Sequence, residues 1–265
     1  MTKLDTILWY LKRPPLYHEM GRHILKRLRS DNPKDQTREL AEAWCAERAI
    51  DTRTALQKLT GSNTPVRVRE KFADIFARAK AKADSCPLDP VEMGGPGNWD
   101  LLYGLAEHCN ATRIIETGVA YGWSSLSILL SIAARPRAQL ISTDMPYPGV
   151  NNDAYVGYVV PENLRANWQL IRLPDRDGLP KAIKALGQLD LCHYDSDKTY
   201  DGRLWAYPLL WNVIRSRGYF ISDDIGDNLA FKDFVESIDL EPTITQWNGK
   251  FIGVLTKPGR HVESK

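Results

Sequence analysis

The chain has 265 residues, and its 35 Lys and Arg residues are nearly balanced by 33 Asp and Glu residues, so the formal net charge is only +2. A dedicated nucleic-acid-binding protein usually carries a large basic excess, and we therefore expect no nucleic acid among the partners. The sequence contains no apolar run of about eighteen residues, which predicts that no helix spans a membrane.

The cysteines lack the spacing of a disulfide framework or a metal site. Cys45, Cys86, Cys109 and Cys192 form neither a CxxC pair nor a Cys/His pattern. Isolated thiols of this kind are typical of the reducing cytoplasm, since disulfides persist mainly in oxidising compartments. The apolar stretch at residues 7–11 is too short for a secretory signal. We therefore expect a cytoplasmic protein with free thiols.

The first third of the chain has the periodicity of helices. Apolar residues recur every three or four positions, as in Leu4, Ile7, Leu8 and Leu11, and this pattern predicts helices over residues 1–84. The individual helices predicted later in this region cover residues 38–50 and 52–59, followed by one with Thr64 as its N-cap and Pro65 in its first turn.

A loop rich in Pro and Gly, residues 85–97, precedes a region in which short apolar runs alternate with helical patterns. This alternation predicts βαβ units, and hence a mostly parallel sheet with helices on both faces. The predicted strands cover residues 113–116, 139–143, 169–172, 189–194 and 218–222, and the predicted helices cover 99–109, 124–134, 180–186 and 204–215.

The C-terminal part differs from the parallel region. Asn248-Gly249 separates two apolar runs, and this dipeptide is typical of the type I′ turn of a β-hairpin. The fold class that we predict is α/β, with a Rossmann-like, mostly parallel sheet, a C-terminal antiparallel hairpin and an N-terminal helical extension. We place the extension at residues 1–92 and the main domain at residues 93–265.

A glycine-containing loop joins the first predicted strand to its helix. Gly118 and Gly122 permit a tight turn and a close approach of the backbone to a ligand. The helix that begins at about Ser124 presents free N–H groups, which bind carboxylate groups well. Ala120 stands where a GxGxxG motif would have its second glycine, so the loop is not the dinucleotide fingerprint.

Two acidic residues follow the next strands. Asp144 ends the second predicted strand, about 26 residues beyond Gly118, where a carboxylate can accept both ribose hydroxyls of an adenosyl group. Asp175 follows the third strand, and its carboxylate could receive the adenine amino group. Each residue has a structural alternative, because an Asp at a strand end often caps a loop or a turn.

Three carboxylates follow the fourth and fifth predicted strands. Asp195 comes after the fourth strand, and Asp223 and Asp224 come after the fifth. Ligands bind beyond the carboxyl ends of the strands of an open α/β sheet, so we expect these groups to lie together. Their repulsion would be relieved by Mg²⁺ or Mn²⁺, which oxygen ligands hold well. The alternative is that these residues cap the helices that follow.

Candidates for a general base lie beside the acidic residues. Lys198 could take a proton if its pKa were lowered from about 10.4, or it could neutralise Asp195 or Asp197 as an ion-pair partner. Asp197 is a second candidate base. His193 lies on the same strand face as Asp195, and we interpret it as a histidine at the rim of the core.

The glycine loop carries a resemblance to a known family. The segment Glu116-x-Gly118-xxx-Gly122-Trp-Ser124 resembles the first S-adenosylmethionine (SAM)-binding motif of class I methyltransferases. The resemblance covers about residues 92–256. It implies that Glu116, Gly118, Gly122 and Ser124 surround the methionine part of SAM, that Asp144 binds the ribose, and that Met93 and Gly94 form a loop closing over the cofactor.

The acidic segments are similar to those of cation-dependent O-methyltransferases. Asp195-x-x-Lys198 followed by Asp223-Asp224 is similar to the catechol-type enzymes, which implies that the three acidic residues hold Mg²⁺ and that Lys198 is the base. The segment also resembles methyltransferases of macrolide and aminocoumarin sugars, in which the position of Asp197 would supply the base. Ser196 and Lys198 depart from the Asp-Gly-Asp-His segment of that second group, so the choice of base stays open.

The function predicted from the sequence is cation-dependent O-methylation of a small molecule or a sugar. The alternatives are a cation-independent N- or O-methyltransferase and an oxidoreductase similar to cephalosporin hydroxylase. The loop over residues 145–161 is interpreted as part of the acceptor pocket or as a lid. The basic N-terminal stretch up to Ser30 is interpreted as a solvated helical face, and a homo-oligomer is possible.

Overall fold

The computed structural model describes residues 3–28, 34–86, 97–146 and 153–259. Met93 and Gly94, which we predict to close over the cofactor, lie outside the described residues, as does part of the 145–161 loop. Within the described residues no helix is long and apolar enough to cross a membrane. All four cysteines are free thiols, as predicted, and only Cys86 is not fully buried.

An eight-stranded sheet forms the centre of the described residues, with the strand order β1-β7-β8-β6-β5-β2-β3-β4. Most neighbouring pairs are parallel, whereas β8 runs antiparallel to both β6 and β7. The strands are β1 (Ala49–Ile50), β2 (Arg113–Thr117), β3 (Gln139–Thr143), β4 (Trp168–Ile171), β5 (Leu189–Tyr194), β6 (Ile214–Ser222), β7 (Thr243–Trp247) and β8 (Lys250–Thr256).

Helices flank this sheet and connect its strands. The α-helices are α1 (Lys3–Leu11), α2 (Tyr17–Leu28), α3 (Lys34–Ala46), α4 (Thr52–Thr60), α5 (Val68–Lys71), α6 (Ala73–Asp84), α7 (Trp99–His108), α8 (Trp123–Ile132), α9 (Asp175–Leu186), α10 (Tyr200–Val213) and α11 (Ala230–Ser237). Short 3-10 helices cover Pro14–Leu16, Asp153–Tyr155, Glu162–Asn167 and Ile225–Asp227. The predicted α/β, Rossmann-like fold class is confirmed.

The predicted C-terminal hairpin is present. Asn248 and Gly249 both have positive φ, 47° and 78°, as a type I′ turn requires. The hairpin strands β7 and β8 pair antiparallel between Thr243 and Thr256.

The N-terminal region packs against the sheet and adds an edge strand to it. Leu56 of α4 and Phe76 of α6 belong to the same buried cluster as Leu102 of α7 and Leu126 of α8. The strand β1 pairs in parallel with β7. The division at residue 92 stays a prediction.

Several predicted helix boundaries were wrong. The helices predicted to begin at residues 180 and 204 begin at Asp175 and Tyr200, and two further errors have a tertiary cause. The helix predicted to extend to Ile50 ends at Ala46, because residues 49–50 pair with β7. The helix predicted to begin at Pro65 begins at Val68, whose backbone N–H donates to Asp100 Oδ1 at 2.8 Å. Asp100 lies 32 residues away, so this tertiary hydrogen bond could not be read from the local pattern around Thr64.

Candidate active site

The sheet brings the ends of β2 and β5 together at a topological switch point. The chain leaves β2 towards β3 on one side, and it returns through β5 to the other side of β2. Ligands bind at such points in open α/β sheets, because the flanking loops diverge and leave a crevice. Backbone hydrogen bonds fix the strand ends: Asp195 N–H donates to Thr117 O at 3.0 Å, and Asp223 N–H donates to Tyr194 O at 2.9 Å.

The loop after β2 requires glycine at two positions. Gly118 has φ +74°, and a Cβ atom there would lie 2.3 Å from the backbone oxygen of Asp195. Gly122 has φ +91° and precedes α8, and a Cβ atom there would lie 2.8 Å from Cα of Gly157. The loop therefore packs directly against the chain after β5, which places it beside the acidic residues.

Asp144 orients the glycine loop. Its Oδ2 accepts hydrogen bonds from the backbone N–H groups of Val119 at 2.8 Å and Ala120 at 3.2 Å. Its Oδ1 forms an ion pair with Arg172, whose other nitrogen donates to Asp153 at 2.7 Å. Burial raises the pKa of Asp144, and Arg172 counteracts this effect. Asp144 therefore lies at the end of β3 beside the glycine loop, with Arg172 at its Oδ1, and its contact with a ribose stays a prediction.

Glu116 is fully buried beneath the same loop. Its Oε2 accepts hydrogen bonds from Ser125 Oγ at 2.5 Å and Ser142 Oγ at 2.7 Å. Its Oε1 has no hydrogen-bond partner among the described residues and lies 3.6 Å from Nδ1 of His193. Glu116 and His193 are register partners on β2 and β5, which explains why their side chains meet.

His193, Asp195 and Asp223 form a compact group. One potential ligand atom from each of them lies within 4.8 Å of the other two, and the three could hold a metal ion. Asp223 is 7% exposed. Burial raises the pKa of Asp223 to about 7, and the negative charge of Asp195 adds to the effect. A dication at this position would offset the repulsion between the two carboxylates.

Asp224 faces other partners. Its carboxylate forms ion pairs with Lys198 and with Lys250, the latter at 3.0 Å. It has φ +51°, and its backbone oxygen accepts a hydrogen bond at 2.8 Å from the fully buried guanidinium of Arg203. The predicted group of three acidic residues is thus divided: Asp223 lies with Asp195 and His193, while Asp224 is held by lysines.

Both candidate bases have partners. Lys198 forms ion pairs with Asp195 and Asp224, and although burial disfavours the ammonium group, these carboxylates raise the pKa of Lys198. Asp197 Oδ1 accepts a hydrogen bond from the backbone N–H of Thr199 at 3.0 Å, at the start of α10. Lys198 is thus held as an ammonium group between two carboxylates, while Asp197 is hydrogen-bonded at the start of α10.

Asp175 begins α9 and lies behind the chain after β5. Its Oδ2 accepts hydrogen bonds from Ser196 Oγ at 2.5 Å and Tyr194 Oη at 3.3 Å. Burial raises the pKa of Asp175 to about 6. The residue predicted to receive the adenine amino group thus binds the residue that follows Asp195.

Sequence reasoning undervalued His193 and missed Arg203. Because side chains alternate along a strand, His193 and Asp195 lie on the same face, and the sequence therefore contained a signal that His193 belongs to the site. Arg203 lies in the first turn of α10, 20 residues before Asp223, and nothing in the neighbouring sequence distinguishes it from a solvent-exposed arginine.

The comparisons with known proteins concern a matched domain and the fold. Residues 115–225 match the family model described as a methyltransferase domain. No curated protein matches the chain. Cofactor-bound Rv0187 from MTB shares the fold, with a TM-score of 0.52, 18% identity, and coverage of 75% of this chain and 100% of that one.

Two further solved structures lie at the limit of fold similarity. The O-methyltransferase from Bacillus cereus in complex with SAH has a TM-score of 0.49 and 14% identity, with coverage of 80% of this chain and 100% of that one. TomG from Streptomyces achromogenes has a TM-score of 0.46 and 16% identity, with coverage of 86% and 100%. Residues 115–225 match a methyltransferase domain and the fold is Rossmann-like, so the predicted resemblance to class I methyltransferases and the predicted enzyme class are confirmed.

Proposed function

We propose that the protein is a SAM-dependent methyltransferase that methylates a hydroxyl group of a small molecule or a sugar with the help of a divalent cation. The methyltransferase domain supports the transfer reaction. The observation that carries the cation requirement is the close group of His193, Asp195 and Asp223 beside the glycine loop.

The glycine loop fits the methionine end of SAM. Gly118 and Gly122 keep side chains out of the loop, and the first N–H groups of α8, near Ser124, would bind the methionine carboxylate. Glu116 would face the ammonium group from below, and Asp144 would accept the ribose hydroxyls in competition with Arg172. Met93, Gly94 and Asp175 remain predicted cofactor contacts. SAM would supply a methyl group on a positively charged sulfur.

The group of acidic residues fits a divalent cation. Asp195 and Asp223 offer two carboxylates that lie close together, and burial together with the charge of Asp195 raises the pKa of Asp223, an effect that a bound cation would oppose. A bound cation would make the acceptor hydroxyl more acidic. Asp224, the third predicted ligand, would first have to leave Lys198 and Lys250.

The chain's own residues would align the acceptor and receive its proton. Holding the reacting atoms in line contributes a large part of the rate acceleration in such transfers. Lys198 and Asp197 remain the two candidate bases. Lys198 could accept a proton only after losing one, which requires that its hold on Asp195 and Asp224 weakens. Asp197 would have to give up the hydrogen bond from Thr199.

One observation favours a second candidate, a methyltransferase that needs no cation. Lys198 already bridges Asp195 and Asp224, and Lys250 adds a second positive charge. In that mechanism the ammonium of Lys198 would take the place of the metal in orienting the acceptor.

Methyl transfer from SAM to a panel of catechols and glycosides tests the proposal, with formation of S-adenosylhomocysteine as the readout. We expect EDTA to abolish turnover and Mg²⁺ or Mn²⁺ to restore it. Asp223→Asn should lower kcat/KM by about 100-fold or more, since a metal ion supplies several kcal/mol of stabilisation. Asp239→Asn is the matched control, because Asp239 is exposed and Asn tolerates its φ of 50°. Turnover that is unaffected by EDTA would favour the second candidate.

A further inference from the structure

His193 is a buried polar side chain of the group proposed to bind the cation, and its own part in that binding is still to be assigned. It is 2% exposed, and its Nδ1 has no hydrogen-bond partner among the described residues. A buried imidazole nitrogen without a partner is costly, because the desolvation of a polar group is not compensated. Nδ1 faces Glu116 Oε1 at 3.6 Å, so the two buried atoms are neighbours but form no hydrogen bond of normal length.

The ring is directed into the acidic group. One of its nitrogens lies within 4.8 Å of carboxylate oxygens of Asp195 and Asp223. Nδ1 lies 3.6 Å from Glu116 Oε1, which also lacks a hydrogen-bond partner. Metal-ligating histidines commonly direct their second ring nitrogen at a carboxylate, which fixes the tautomer and the ring orientation. Glu116 is in the position of such an orienting carboxylate.

Asp224 is poorly suited to be the third ligand. Both of its oxygens lie near ammonium groups, with Lys250 Nζ at 3.0 Å from Oδ1 and Lys198 bound to Oδ2. A dication approaching this carboxylate would meet two ammonium groups, whereas one approaching His193, Asp195 and Asp223 would compete with a single ion pair of the described residues, that of Lys198 with Asp195.

We propose, on the basis of the methyltransferase function argued above, that the cation is bound by His193, Asp195 and Asp223 and is a first-row transition-metal dication in preference to Mg²⁺. Mg²⁺ is bound mainly by oxygen ligands and retains several waters. Imidazole nitrogen instead favours transition metals, and the affinity of such mixed sites rises from Mn²⁺ to Co²⁺ and beyond. The ligand set thus determines which metal activates the enzyme.

Metal binding tests the proposal without any need for turnover. The binding of Co²⁺ and of Mg²⁺ would be measured by titration calorimetry on the metal-free full chain and on His193→Gln, Asp223→Asn, Asp224→Asn and Asp239→Asn. We expect the wild type to bind Co²⁺ at least about 10-fold more tightly than Mg²⁺. His193→Gln should weaken Co²⁺ binding by about 10-fold or more, while Asp224→Asn and the control Asp239→Asn should stay within about threefold of the wild type.

Two results would overturn the proposal: Co²⁺ affinity that His193→Gln leaves unchanged, or a loss in Asp224→Asn as large as that in Asp223→Asn. If His193→Gln fails to fold, as judged by circular dichroism, NMR of the Co²⁺-loaded wild type decides. A ligated imidazole gives a strongly shifted, exchangeable ring N–H signal, and the absence of that signal contradicts the assignment.

The metal-binding test and the test of the proposed function can fail independently of each other. SAM binding is measured by calorimetry in the same proteins, and methyl transfer is measured with the panel of acceptors. Absence of SAM binding and of transfer would remove the proposed function, whereas the pattern of Co²⁺ affinities would still test the ligand set.

Discussion

Replacing Gly118 with Ala should disable the site by displacing Asp195. The new Cβ would lie 2.3 Å from the Asp195 backbone oxygen, whereas real Cβ atoms essentially never approach closer than 3.0 Å. The positive φ of +74° adds a conformational cost of about 1–2 kcal/mol for Ala. Relief of the overlap adds about 1–3 kcal/mol. The backbone carrying Asp195 would have to move by at least about 0.7 Å to reach that limit, and a misplacement of about 1 Å can cost about 100-fold in rate.

Gly61→Ala is the matched control for this variant. Gly61 has nearly the same φ, +71°, and a Cβ there would meet nothing within 4 Å. Its cost is therefore only the conformational part, about 1–2 kcal/mol. For a chain of this size, each kcal/mol lowers Tm by about 2–4 °C.

Thermal unfolding and methyl transfer would be measured for both variants. We expect Gly118→Ala to lose more stability than Gly61→Ala and to lower kcat/KM by about 100-fold, while Gly61→Ala keeps the wild-type rate. If Gly118→Ala were as stable as the control and turned over at the wild-type rate, the close approach of the glycine loop to Asp195 would not matter for catalysis.

Three further predictions concern other buried contacts. Asp190→Asn should lower the free energy of unfolding in urea by about 1–3 kcal/mol at pH 7. Burial opposes the charge of Asp190, but the hydrogen bond from Arg215 lowers its pKa, so its stabilisation is present above the unfolded pKa and is lost as the pH falls through the lower folded pKa. A loss of stability that is equal at pH 7 and in strong acid would contradict this. Asp144→Asn should weaken SAM binding by about 10- to 100-fold in calorimetry, because a charged acceptor is lost, and unchanged affinity would exclude Asp144 from the ribose site. Gly253→Ala should destabilise by about 1–3 kcal/mol, since its Cβ would lie 2.3 Å from the Phe231 ring, and an unchanged Tm would refute this overlap.

The fold was predictable because its signals are local. Short apolar runs alternating with helices identify the parallel strands, and Asn248-Gly249 identifies the hairpin. Two of the errors lie where a tertiary contact decides the local structure. Residues 49–50 become a strand only because β7 offers an edge, and Val68 starts a helix because Asp100 caps it from α7.

The position of the candidate site was predictable for a topological reason. Asp144, Asp195 and Asp223 all follow parallel strands, and such residues meet at one edge of the sheet wherever the strands lie in it. Gly118 belongs to the same edge, and its contact with Asp195 is the consequence of β2 and β5 being neighbours.

The orientation of individual side chains at that edge depends on contacts that a linear sequence does not contain. Asp223 and Asp224 are adjacent and chemically identical, yet the left-handed backbone at Asp224 turns its carboxylate towards Lys250, which lies 26 residues further along the chain on β8. Arg203 of α10 stabilises this turn by donating to the backbone oxygen of Asp224. The antiparallel hairpin, which supplies Lys250, thus has a role in the site as well as in the sheet: it withdraws one acidic residue from the group and leaves His193 as the third neighbour of Asp195 and Asp223.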